Sequence, residues 1–169
     1  MFEVLTFVYE NYWHGDACPE LAYLERKLSA VGFDSQEIKD ALTWLNELNL
    51  AARGLQPAAL AVPESSNPLP PARQTLTQSP HSMRVYTRAE QRHLGPQGLG
   101  FIVFLETAGV LTADMREIVL DRAMAAPADP LPLEDLKMIV LMVFWSLGIE
   151  PDALVLDELS EDSSQRVAH

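Results

Sequence analysis

A short polar segment near the start of the chain holds the residue types best suited to metal binding. His14, Asp16 and Cys18 could supply nitrogen, oxygen and sulfur ligands within five positions of sequence. A closed metal site needs about four ligands, and the other three histidines lie far away along the chain. His14 and Cys18 could also form a base–nucleophile pair, but no further residue supplies an orienting group or an anion hole. We therefore predict a loop between helices, with no metal and no cofactor.

No motif of a familiar catalytic or phosphate-binding type occurs elsewhere in the sequence. The glycine-rich run from Gly95 to Gly100 lacks the preceding strand and the lysine of a phosphate-binding loop. It also contains no serine that could act as a nucleophile on a sharp turn. The adjacent carboxylates Glu134 and Asp135 would point away from each other on a helix, so they do not form an acid–base pair. The sequence therefore predicts a protein that is not an enzyme.

Three arginines at helical spacing in the second half of the chain form the first candidate site. Arg84, Arg88 and Arg92 would share one face if a helix covered all three. Thr87 and Glu90 have the spacing of a capping box, which places the helix start at Thr87 and leaves Arg84 just outside it. The arginines could bind an anion or an acidic partner, or they could pair with the chain's own carboxylates. A net charge of −12 favours the second interpretation.

Two tryptophans form the second candidate site, because tryptophan is frequent among the residues that dominate protein interfaces. Trp44 flanks the apolar stripe of a predicted helix, and Trp145 lies in the longest apolar run of the sequence. Either indole would anchor a protein partner only if it is exposed. Packing in the core is the favoured alternative, and an indole more than half exposed would support the binding interpretation.

The composition restricts both the classes of partner and the compartment. The chain has 169 residues, of which 24 are acidic and 12 are basic. This excess of acid opposes a general nucleic-acid binder, which needs a large basic surface. The single cysteine excludes an internal disulfide framework, and the first residues lack the basic segment of a secretory signal. The longest apolar run, Met138 to Trp145, is too short to cross a membrane, so we expect a cytoplasmic protein without membrane contact.

Hydrophobic periodicity predicts three helices within residues 1–50, which form an N-terminal lobe. The first helix begins near Phe2. Gly32 has the position of a left-handed C-cap for the second helix, and Asp34 has that of an N-cap for the third. Six of the twelve prolines then fall within residues 51–82, which opposes a helix there and predicts a flexible linker.

Residues 83–159 are predicted to form a C-terminal lobe of four or five helices, followed by a polar tail at 160–169. Gly95 and Pro96 interrupt its first helical pattern, and Thr112 is the predicted N-cap of a later helix. The fold class is therefore all-α, with two small helical lobes joined by a Pro-rich linker. Periodicity does not show whether the two lobes share one core.

Several short motifs, each made of ordinary residues, occur along the chain in an order that is specific when the motifs are taken together. They are Met1-Phe2-Glu3-Val4-Leu5, Gly32-Phe33, Met83-Arg84-Val85-Tyr86-Thr87, Gly100-Phe101, Phe104-Leu105-Glu106, Gly109-Val110-Leu111 and Leu133-Glu134-Asp135-Leu136-Lys137. In these motifs the chain resembles the bacterial Smg family over nearly its whole length outside residues 51–81 and the tail. The resemblance implies an all-helical, cytoplasmic bacterial protein. It implies no catalytic residues, because the family has no assigned biochemical function.

Three functions are compatible with these patterns. We expect a cytoplasmic interaction or regulatory module that binds another protein, and its acidic ends favour a basic partner such as a nucleic-acid-handling protein. The alternative is a helix-turn-helix nucleic-acid-associated protein, because the second and third helices are joined by a short Gly-Phe turn. That third helix, however, has Glu37, Asp40 and Glu47 against the base Lys39. An enzyme whose site is assembled from scattered polar residues is the third alternative.

Overall fold

The part of the chain that the structure describes is built of α-helices. The computed structural model describes residues 1–12, 21–55 and 84–149. No strand is found among these residues, which confirms the predicted all-α class. The candidate metal segment at residues 14–18, most of the predicted linker and the polar tail lie outside the described residues. The helices are α1 (Phe2–Tyr12), α2 (Leu21–Val31), α3 (Ser35–Arg53), α4 (Arg88–Thr107), α5 (Ala113–Met124) and α6 (Leu133–Leu147).

A glycine conformation marks the end of α2, and a side-chain cap marks the start of α3. Gly32 follows α2 with a φ of 105°, a left-handed conformation that glycine adopts without steric cost. The Asp34 side chain accepts hydrogen bonds from the backbone N–H groups two and three residues later, which confirms it as the N-cap of α3. α3 continues to Arg53, past the predicted lobe boundary at residue 50. The extension follows from Ala52, which is buried and belongs to the strongest helix-forming residue type.

The fourth helix contains the break that the sequence predicts. The Thr87 hydroxyl accepts a hydrogen bond from the backbone N–H of Glu90, and the Glu90 carboxylate accepts one from the N–H of Thr87. Gly95 has φ 63° and ψ 177°, and this non-helical residue divides α4 into two segments, the second of which begins with Pro96. The Thr112 hydroxyl caps α5 by accepting from the backbone N–H three residues later. The predicted capping box, helix break and N-cap are thus all confirmed.

Helices from both predicted lobes pack around one hydrophobic core. α6 contacts α1, α3, α4 and α5, and its residues Val140, Met142 and Val143 are fully buried. A helix that is apolar nearly all round must be covered on every side, and α6 finds this cover on helices from both parts of the chain. The sequence left open whether the two lobes share a core, and the described helices show that they do. The separation into two lobes is therefore not confirmed.

Two side chains from different parts of the chain hold the C-terminal end of α5. The Trp44 indole Nε1 donates to the backbone carbonyl of Arg122 at 3.1 Å, and His93 Nε2 lies 2.9 Å from the carbonyl oxygen of Ala123. A carbonyl oxygen only accepts hydrogen bonds, so His93 Nε2 bears the proton in this contact. Both carbonyls belong to the last turn of α5, where C=O groups have no partner within the helix. The two contacts therefore tie α3 and α4 to the same end of α5.

Candidate interaction surface

The described residues contain no group of histidine, cysteine or acidic side chains that could hold a metal ion. Within the same ranges, no helix is long and apolar enough to span a bilayer. The sequence-predicted positions that the structure does describe are the three arginines and the two tryptophans. The structure does not bring them together into one site.

Arg84 is engaged in an internal ion-pair network. Its Nη2 atom lies 2.8 Å from Oε1 of Glu90 and 3.0 Å from Oε2 of Glu117. Its guanidinium lies over the ring of Tyr86, 5.1 Å from the centroid. The hydrogen bond from Arg84 lowers the pKa of the Glu90 carboxyl, because it stabilises the charged form. For Arg84, the geometry supports the interpretation in which the arginine pairs with the chain's own carboxylates.

A second arginine extends this network to the end of α4. Arg116 is only 4% exposed, and it donates hydrogen bonds to Glu106 on α4 and to Glu117 on α5. Burial raises the pKa of the Glu117 carboxyl, but the hydrogen bonds from Arg84 and Arg116 outweigh this effect and the pKa is lowered. The network therefore joins the segment before α4, the end of α4 and the first half of α5.

The other two arginines of the predicted group face solvent. Arg88 and Arg92 lie one turn apart on the first segment of α4, and both are exposed. Within the described ranges, neither of them forms an ion pair. The group is divided because the helix starts after Thr87, which leaves Arg84 off the helix face and free to turn inward.

Neither tryptophan has an indole that is more than half exposed. Trp44 is 3% exposed and lies in the core, so its expected role as an anchor for a partner is not supported. Trp145 is partly buried and packs against the same core. The physical reason at Trp44 is that α3 packs against α5 and α6, which covers the side of the helix next to the predicted apolar stripe.

The surface that sequence reasoning missed lies on the second segment of α4. It consists of Gln97, Gly100, Val103, Phe104 and Thr107, and we name it the α4 outer face. Val103 is 49% exposed and Phe104 is 56% exposed. The run of residues 93–105, which covers most of this segment, has no Asp, Glu, Lys or Arg. The α4 outer face is thus an uncharged surface with two exposed apolar side chains on a strongly acidic chain.

The opposite side of the same segment packs against the core. Gly98 faces α6 so closely that a Cβ atom there would lie 3.1 Å from Cδ2 of Leu136. A Cβ atom at Gly100 would meet nothing within 4 Å, so this glycine borders open space. Because the segment is apolar on several sides, its periodicity does not show which side faces the core. The long uncharged run is the sequence signal that could have drawn attention to the face.

Related proteins extend over the full length of the chain. Residues 1–169 match the family described as a protein of unknown function (DUF494). The chain is 54% identical to the Smg homologs of Methylibium petroleiphilum and Leptothrix cholodnii, and 43% identical to that of Bordetella petrii. Each of these comparisons covers 100% of both chains. No solved structure matches this protein. The chain therefore belongs to the Smg family of bacterial proteins, whose function is unknown.

Proposed function

We propose that the protein is a helical interaction module that binds another protein and has no catalytic activity of its own. The observation that carries this proposal is the exposure of Val103 and Phe104 on the α4 outer face. Exposed apolar side chains that share one uncharged helix face are typical of protein contact surfaces. Full burial of such a side chain contributes about 1.5–3 kcal/mol, so covering the exposed half of each contributes about 1 kcal/mol.

The charge of the chain favours a partner with a basic surface. The net charge is −12, and Arg84, Arg116 and Arg122 already pair with carboxylates of the same chain. The remaining carboxylates would attract a basic protein through long-range steering, and a nucleic-acid-handling protein has such a surface. Arg88 and Arg92 would contact acidic groups of the same partner. We place this activity in the cytoplasm, without membrane contact.

Capture of partners from a nuclease-treated bacterial lysate tests the proposal. Tagged wild-type protein is compared with the variants Phe104→Glu and Leu50→Glu, and the retained proteins are identified by mass spectrometry. Leu50 is a matched control, because it is 59% exposed and lies on α3 rather than on α4. We expect a set of proteins that the wild type and Leu50→Glu retain and that Phe104→Glu loses.

The same assay contains the results that would contradict the proposal. An identical set of proteins on all three chains would show that the α4 outer face does not bind them. Proteins that are retained from untreated lysate but lost after nuclease treatment would support a nucleic-acid function instead. A double variant, Arg88→Glu with Arg92→Glu, tests the arginines separately, and unchanged retention would remove them from the contact.

A helix-turn-helix contact with nucleic acid is the second candidate, and one observation favours it. Glu47 on α3 pairs with Arg122 at 2.6 Å, so α3 has fewer free carboxylates than its sequence indicates. Lys39 on the same helix stays exposed. Fluorescence anisotropy with labelled duplex DNA at about 50 mM salt tests this candidate. Salt-sensitive binding that Lys39→Glu weakens would support it, and absence of binding would remove it.

A further inference from the structure

We infer that one side of α2 binds a phosphate dianion, either free or as the end group of a small phosphate monoester. Tyr23, Arg26 and Lys27 line a cleft of about 190 Å³ on this side of the helix, and we name these three residues the α2 cleft. The inference is independent of the proposed function, because it concerns a different helix and a ligand that is not a protein.

The spacing of the three residues brings their side chains together on α2. Arg26 and Lys27 follow Tyr23 by three and four positions, so the three side chains are neighbours on one side of the helix. A different side of α2 packs into the core through Leu24 and Leu28, which are fully buried. The core therefore fixes the helix, while the cleft stays open to solvent and Tyr23 is 41% exposed.

Contacts within the described residues orient the side chains of the α2 cleft. The ring of Tyr12, at the end of α1, packs edge-on against the ring of Tyr23, with 6.4 Å between the centroids. The Lys27 ammonium lies 5.7 Å from the centroid of the Tyr23 ring, which is within the range of a cation–π contact. Arg26 Nε donates to the carbonyl oxygen of Ala22 at 3.3 Å. Both cations are therefore held beside the cleft, and the terminal N–H groups of Arg26 remain available to a ligand.

The two cations of the α2 cleft have no carboxylate partner in the part of the chain that the structure describes. Neither Arg26 nor Lys27 takes part in an ion pair there, in contrast to the buried arginines of α5. Glu25 is the only carboxylate in the sequence of α2. It lies two positions from both Tyr23 and Lys27, which is roughly 200° around the helix axis. The cleft therefore concentrates unpaired positive charge on an acidic chain.

The donors of the cleft suit a phosphate dianion better than a carboxylate. A phosphate monoester has a charge of about −1.5 to −2 at pH 7, which two cations neutralise, whereas a carboxylate has a single charge. Its three terminal oxygens can accept hydrogen bonds from the Arg26 guanidinium, the Lys27 ammonium and the Tyr23 hydroxyl. The volume of the cleft is below the roughly 300–1,000 Å³ of pockets for drug-sized ligands, so a phosphate group or a small ester fits it.

Nuclear magnetic resonance titration of the full ¹⁵N-labelled chain tests the inference. Inorganic phosphate is added at about pH 7.5 and constant ionic strength. The backbone amide signals of residues 23–27 should shift and saturate with a dissociation constant of roughly 1–10 mM, because each exposed ion pair contributes little in water. Glycerol 3-phosphate is titrated in parallel, and tighter binding than that of inorganic phosphate would assign the cleft to a monoester. Absence of saturable shifts on the order of 50 mM phosphate would overturn the inference.

Two double variants remove equal charge from different helices. Arg26→Gln with Lys27→Gln should weaken phosphate binding at least about fivefold, because it removes both cations of the cleft. Arg88→Gln with Arg92→Gln is the matched control: it removes two exposed arginines from α4 and should bind phosphate like the wild type. Equal weakening in both variants would overturn the site, because it would reflect net charge alone. Unchanged binding in the cleft variant would also overturn it. Far-UV circular dichroism verifies that each variant is folded.

The charge of the ligand provides a separate test. The second pKa of a phosphate monoester is about 6, so only about a quarter of it keeps two charges at about pH 5.5. Glycerol 3-phosphate should therefore bind about fourfold more weakly at about pH 5.5 than at about pH 7.5. Sulfate has the same tetrahedral shape and keeps both charges, so its binding should not change. Equal weakening of both ligands would place the pH effect on the protein and overturn the preference for a dianion.

Discussion

Replacing Trp44 with phenylalanine is expected to lower the free energy of unfolding by about 2–4 kcal/mol. The indole Nε1 donates a hydrogen bond to the Arg122 carbonyl at 3.1 Å, and phenylalanine cannot donate one. A buried acceptor that loses its donor costs about 1–3 kcal/mol. Phenylalanine is also smaller than the indole, and the volume left empty at this buried position costs roughly 1 kcal/mol more.

Urea unfolding followed by far-UV circular dichroism measures this loss, because the signal does not depend on tryptophan. We expect a lower midpoint with an unchanged m-value. The thermal midpoint should fall by about 4–16 °C, since 1 kcal/mol corresponds to roughly 2–4 °C in a chain of this size. Trp145→Phe is the control, because its indole is only partly buried and the replacement should cost less than about 1.5 kcal/mol.

Two outcomes would refute the reasoning about Trp44. The first is a loss below about 0.5 kcal/mol, or a loss no larger than that of Trp145→Phe, which would mean that the indole is not held as described. The second concerns the shape of the transition. Trp44 and Arg122 belong to different predicted lobes, and one shared core should give a single transition in both the wild type and the variant. Two resolved transitions would indicate that the lobes unfold independently.

Two further predictions concern α4. The hydrogen bond from Arg84 lowers the pKa of the Glu90 carboxyl in the folded protein. The ionised carboxylate therefore stabilises the fold fully at pH values above the ordinary glutamate pKa of about 4.3. This stabilisation is lost as the pH falls through the lower pKa of the folded state. Glu90→Gln should therefore lower the thermal midpoint at pH 7. Below about pH 5 the midpoint of this variant should fall less steeply with falling pH than that of the wild type, and equal slopes for the two proteins would contradict the prediction. Gly98→Ala should raise the thermal midpoint less than Gly100→Ala does, because its new Cβ would lie 3.1 Å from Cδ2 of Leu136 and the shift forced on that side chain offsets part of the gain in helix propensity. Gly100→Ala should stabilise the helix by up to about 1 kcal/mol, because its Cβ would meet nothing within 4 Å. Scanning calorimetry that ranks the two glycine variants in the opposite order would disprove the assignment of their sides.

The ends of the helices could be predicted because their causes lie within a few residues. Asp34, Thr87 and Thr112 each accept a hydrogen bond from a backbone N–H of the following turn, and such contacts need no other part of the chain. Gly95 breaks α4 through its own backbone conformation. The sequence therefore indicates these positions without any knowledge of the tertiary structure.

The candidate surface was less predictable, because exposure depends on neighbours that are distant in sequence. The Arg84 side chain turns inward and pairs with Glu117 on α5, while Arg88 and Arg92 face solvent. Trp44 is covered by helices that follow it much later in the chain. No pattern within a single helix contains this information, so the predicted arginine group and the predicted tryptophan anchors could not be judged from spacing alone.

The same distinction explains the α4 outer face. Local sequence sets where α4 begins and where it breaks, and it leaves residues 93–105 without Asp, Glu, Lys or Arg. Packing decides which side of that segment is buried: Gly98 allows α6 to approach closely, and Phe104 is left on the outside. The free energy of burial depends on apolar area and has no intrinsic direction. A helix that is apolar on several sides therefore acquires an inner and an outer face only when its neighbours pack against it.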